Sequence, residues 1–122
     1  MALIQEFNKD LREINEEEFK IAYDFVKKET KNFTEVKTEF LRKNPQYLLI
    51  IRLAMGLSQL EFSKKLGTTN KQWVRHFEAG RQGYKHSKLF NQALQTIEFS
   101  FKNKEITDYE KTFYLWQKSK AA

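Results

Sequence analysis

Within residues 70–76 the chain carries Asn70, Lys71, Gln72, Arg75 and His76. Amide, ammonium, guanidinium and imidazole groups can hydrogen-bond the edges of base pairs. Arg and Lys suit guanine O6 and N7, while Asn and Gln suit adenine N6 and N7. That chemistry needs a rigid rod narrow enough for a major groove, held to the protein by an apolar side. Val74 and Phe77, three residues apart, supply such a side. Trp73 has two readings, pressing on a thymine methyl or packing into the core, and core packing is the commoner fate of Trp.

Groups suited to phosphate flank this stretch. Ser58 and Thr69 are hydroxyl caps at helix starts, where free backbone N–H groups can meet a phosphate. Tyr84, Lys85 and Lys88 follow this stretch, and Glu78 is the only acid between Lys71 and Ile97. Lys64 and Lys65 are either peripheral phosphate contacts or simply solvated. The charge distribution points the same way. Residues 1–44 hold ten acids and nine Lys/Arg, and residues 98–122 hold four acids and five Lys/Arg. Residues 45–97 hold eight Lys/Arg against two acids, which equals the whole net charge of +6. A localised cationic excess suits an anionic partner at that place; a Lys-rich solvated face is the plainer alternative.

The elements that must position these groups read as helices. Only four glycines and one proline punctuate 122 residues, which favours helices joined by short turns. Asn15 and Glu18 have capping-box spacing, with Ile14 and Phe19 as the flanking staple and Phe19, Ile21, Ala22, Phe25 and Val26 as the apolar face. Thr30 or Asn32 caps a second helix carrying Phe33, Val36, Phe40 and Leu41. Asn44-Pro45 opens a third, from Gln46 to about Met55, apolar nearly all round and therefore central. Ser58 with Glu61 caps a short helix ending at Leu66 and Gly67, and Thr69 with Gln72 caps another that ends at Ala79 and Gly80. A sixth helix starts near Ser87 and carries Leu89, Phe90, Ala93, Leu94, Ile97 and Phe101. Thr107 with Glu110 opens the last, with Tyr109, Phe113 and Trp116 on one stripe. Two short helices separated by Gly67-Thr68-Thr69 have the layout of a helix-turn-helix, whose second helix enters the groove.

At this point the sequence resembles a known family. LSQLEFSKKLG (57–67) followed by VRHFEAG (74–80) is similar to the Cro/C1-type, or XRE-type, helix-turn-helix of phage repressors and prokaryotic regulators. The matching residues are Arg52, Gly56, Leu57, Ser58, Gln59, Phe62, Leu66, Gly67, Val74, Phe77, Glu78 and Gly80, within residues 45–100. The resemblance implies that Gln59 and Arg81 bind backbone phosphates. It also implies that Arg52 and Glu78 form a structural ion pair, and that Lys71, Gln72 and His76 face bases. Two features depart from the family: the interval from Gly67 to Glu78 is one residue longer, and Ala79 replaces a frequent Asn.

The expected architecture is therefore all-α: a single domain over 1–122 with a lambda-repressor-like helix-turn-helix core at 45–101. Two extra helices precede it in 1–44 and a C-terminal helix follows in 102–122. The expected activity is sequence-specific binding of double-stranded DNA through the major groove, as a transcriptional regulator. Base reading falls to Asn70, Lys71, Gln72, Arg75 and His76, and phosphate binding to Ser58, Gln59, Thr69, Arg81, Tyr84 and Lys85. Catalysis is not expected: His76 and His86 have no metal-ligand spacing, and no nucleophile elbow or phosphate-cradling glycine loop is present. Glu16, Glu17 and Glu18 suit a helix dipole better than a cation. No cofactor or metal is expected, and the absence of Cys removes thiolate ligands and disulfides. No apolar run approaches a membrane span; the longest, residues 48–51, soon meets Arg52, and a cytoplasmic location is expected. A homodimer is open to such a chain, as is a protein partner on the N-terminal helices. The alternative is an interaction or antitoxin-like module whose helix-turn-helix region is structural or secondary to partner binding.

Overall fold

The computed structural model describes residues 10–68, 72–79, 88–103 and 106–120. Among them the chain is all-helical, without strands: α1 (Glu16–Glu29), α2 (Thr38–Lys43), a 3-10 turn (Pro45–Tyr47), α3 (Leu48–Ala54), α4 (Gln59–Lys65), α5 (Gln72–Glu78), α6 (Lys88–Lys102) and α7 (Tyr109–Lys120).

Side-chain hydrogen bonds set several boundaries. Asn15 accepts from the Glu18 N–H while Glu18 accepts from the Asn15 N–H, and Ser58 and Glu61 repeat this reciprocal box at α4. Glu16–Glu18 and Lys27–Lys28 lie at the ends of α1 that suit their charges. Gly56 and Gly67 end α3 and α4 in the left-handed region, at φ +74° and +83°. At each, the next N–H reaches back to a carbonyl inside the helix, Leu57 to Arg52 and Thr68 to Ser63, the Schellman pattern.

Two helix starts lie elsewhere than the caps suggest. Thr30 does not open a helix; it closes α1. Its buried hydroxyl donates to the Val26 carbonyl and accepts from the Phe33 N–H. Lys31, Asn32 and Phe33 then run consecutively through positive φ, at 51°, 62° and 62°. This left-handed turn delivers Phe33 into the core against Tyr23 and Phe101, and α2 begins only at Thr38. Likewise, Asp108 rather than Thr107 caps α7, accepting from the Lys111 N–H at 2.8 Å. Thr107 instead donates to the Ala54 carbonyl, tying the start of α7 to the end of α3. Pro45 opens a 3-10 turn, and α3 follows from Leu48.

Every residue of α3 is buried, Arg52 included, so α3 is the axis of the fold. α1 and α7 cover one side with an aromatic cluster: Phe19 stacks on Trp116 at 4.4 Å and meets Phe113 at 5.8 Å, while Tyr23 meets Tyr109 edge-on. Ile21, expected on the inward face of α1, is instead 45% exposed, and Tyr23 is buried. Residues 10–14 form a strap along α7. The buried indole of Trp116 donates to the Leu11 carbonyl at 2.9 Å, and Lys120 Nζ donates to the Ile14 carbonyl at 2.9 Å. Leu11 and Ile14 are fully buried beneath. No helix among the described residues is long and apolar enough to cross a membrane.

Candidate nucleic-acid interface

α4 and α5 pack against each other, and α5 also contacts α3. Phe62 and Ser63 bury one side of α4. α5 buries Val74, Phe77 and Glu78, and Phe77 meets Phe90 of α6 edge-on at 5.1 Å. The helical period then turns Gln72 and Arg75 to solvent, with Ala79 half-covered on the same stripe. Trp73 is half-buried and packs against the core beside Phe77, 6.5 Å between rings. His76 is half-buried as well, with Nδ1 shielded from water.

A buried polar network fixes the angle of α5. Arg52 Nε and Nη2 donate to the two carboxylate oxygens of Glu78 at 2.5 and 3.1 Å, a bidentate pair with side chains 3% and 0% exposed. The remaining guanidinium nitrogen donates to the Leu57 carbonyl at 2.8 Å, at the junction leading into α4. Gln59 Nε2 donates to Glu78 Oε1 at 3.0 Å. One carboxylate therefore joins α3, α4 and α5, held by three donors among the described residues' side chains. One N–H of the Gln59 amide is committed to this network, which leaves the second N–H of Nε2 as its contribution to a phosphate. Ser58 Oγ accepts from the Glu61 N–H, which leaves the hydroxyl proton as its contribution to a ligand.

Of the residues singled out by sequence, Gln72, Arg75 and Ser58 are exposed, and Gln59 and His76 are half-buried. Asn70, Lys71, Thr69, Arg81, Tyr84 and Lys85 lie outside the described residues. Sequence reasoning missed the strap that borders the site. Arg12 grips Asp10 through Nε and Nη2 at 3.1 and 2.9 Å, and the pair sits beside Arg75 at the edge of a shared cleft. Burial would push the Asp10 carboxyl up, but hydrogen bonds and charge from Arg12, with Arg75 adding, hold it below its ordinary value. Hydrogen bonding to Asp10 raises the Arg12 guanidinium, and Glu78 contributes to the same effect. Nothing local in the sequence marks Asp10 or Arg12, because α7 is what holds the strap there. Among the described residues no group of His, Asp or Glu could hold a metal ion.

The fold and the surface define an all-helical chain that presents a short, buttressed helix with two polar side chains outward. Compared with known protein families, characterised proteins and solved structures, the chain shows no match.

Proposed function

We propose that this chain binds double-stranded DNA in a sequence-specific manner, with α5 as the reading helix of a lambda-repressor-like helix-turn-helix, and acts as a transcriptional regulator. The supporting observation is the division of α5. One side is anchored by Val74, Phe77 and the buried Glu78, while the other offers Gln72 and Arg75 one turn apart. A helix held this rigidly can present two hydrogen-bonding side chains to adjacent base pairs without losing much side-chain entropy. Gln favours adenine and Arg favours guanine at the major-groove edge. The cationic excess of residues 45–97 would supply the phosphate affinity common to all sequences. Asn70, Lys71 and His76 are further base readers in this reading, and Arg81, Tyr84 and Lys85 the backbone clamp.

Selection from random duplexes is the direct test. The wild-type chain should enrich one motif, and the symmetry of that motif reports whether a dimer binds. Gln72→Ala and Arg75→Ala should each flatten selectivity at one position, by about 1–3 kcal/mol, without unfolding the protein. No enrichment by the wild type would remove the DNA reading and leave the interaction-module alternative.

A further inference from the structure

Where the strap, the α3–α4 junction, Arg75 of α5 and the second half of α7 meet, they enclose a half-open cleft of about 790 Å³. That lies within the roughly 300–1,000 Å³ of small-molecule sites. Its lining divides by chemistry. Leu53, Leu57, Leu60 and Leu115 make an apolar floor, and Leu60 is 43% exposed into it despite its size. Charges stand at the rim, and most of the acids there are engaged. Asp10 is paired with Arg12, and Glu61 accepts from the Ser58 N–H at 2.8 Å. Glu13 is exposed. On the cationic side Arg75 and Lys118 enter no ion pair with another described residue. The rim therefore offers the guanidinium of Arg75 from α5 and the ammonium of Lys118 from α7, the latter 6.0 Å from the Tyr114 ring centroid, above a leucine floor.

We propose that this cleft binds a small organic carboxylate with an apolar body, the body on Leu57, Leu60 and Leu115 and the carboxylate between Arg75 and Lys118. Apolar contact supplies affinity, and the two cations select the sign of the headgroup. A neutral analogue forgoes the ionic contacts; a cationic one meets Arg75 and Lys118 as like charges. The inference does not rest on the DNA reading, because occupancy is measured without nucleic acid. Where both hold, ligand and duplex compete for Arg75.

The test uses octanoate as the probe, with acetate, 1-octanol and octylammonium as comparisons, followed by calorimetry and thermal shift on the whole chain. Octanoate should bind and raise the melting temperature, and each comparison should bind at least about tenfold more weakly. Leu60→Asp, and separately the Arg75→Gln/Lys118→Gln pair, should each weaken octanoate by about tenfold or more. These side chains are exposed, and unchanged circular dichroism would verify the fold. Asp10→Asn, which removes the acid beside Arg75, should tighten it. The proposal is overturned by absence of octanoate binding at millimolar concentration, by equal binding of octylammonium, or by affinity unchanged in the variants, which would mean surface adsorption only.

Discussion

At the scale of single residues, Glu78 is the most consequential side chain of the buried polar network. It is wholly buried and accepts from Arg52 twice and from Gln59 once, so its removal leaves a guanidinium in the interior with no counter-charge. Glu78→Ala should therefore cost about 3–5 kcal/mol in urea unfolding, whereas Arg52→Met with Glu78→Leu should cost far less, since both charges leave together. An unshifted Glu78→Ala midpoint would show that the pair contributes nothing. Asp10 gives a pH signature. Its folded value lies below the unfolded one, so its contribution is present above about pH 3.9 and disappears as pH falls through the folded value. Stability should drop more steeply on acidification in the wild type than in Asp10→Asn, with the two curves closing at low pH. Parallel curves would mean that Arg12 gives the carboxylate no net stabilisation. The Arg52–Glu78 pair is legible in sequence only through the resemblance. The Gln59 bond to Glu78 is not, because spacing says nothing about which way a half-buried amide turns.

At the scale of elements, backbone sign decides where helices stop. Gly67 occupies φ +83° with open space where a Cβ would go, so Gly67→Ala should lose only the backbone term, about 1 kcal/mol. Lys31 occupies φ +51° with a side chain, and Lys31→Gly should gain a similar amount. The exposed Lys31–Glu35 pair given up in exchange is worth little. Opposite shifts in melting temperature are the expected result; shifts of the same sign would mean that the unfolded chain, not the turn, governs both. The reciprocal caps at Asn15 and Ser58 and the glycines at 56 and 67 are readable because each is a local bargain between neighbours. Thr30 and Thr107 mislead for the same reason. Each has the right type for a cap, yet each is recruited by another demand: a left-handed turn seating Phe33, and a long-range hydrogen bond to Ala54. The outward stripe of α5 is legible from its 3.6-residue period, with Val74 and Phe77 on the inward side.

At the scale of the whole molecule, one connected core runs from Leu11 to Trp116, with α3 through its middle. Its most non-local buried hydrogen bond is that of the Trp116 indole to the Leu11 carbonyl. Trp116→Phe keeps the stack on Phe19 but orphans that carbonyl, and should cost about 1–3 kcal/mol. The loss should appear first as faster hydrogen exchange in the strap and the second half of α7; uniform acceleration across the chain would place the tie inside the global unfolding unit instead. All-helical class and the central place of residues 48–54 follow from composition and periodicity. That residues 10–14 meet the second half of α7 beside α5 does not, since no periodicity relates residue 11 to residue 116.

The closure of residues 10–14 against α7 also sets an order of events during synthesis. Residues 10–14 cannot dock until α7 has been made and has emerged, so the aromatic side of α3 stays uncovered until then. A nascent chain stalled before residue 109 would expose Phe19 and the α3 leucines to whatever holds unfolded protein in the cell.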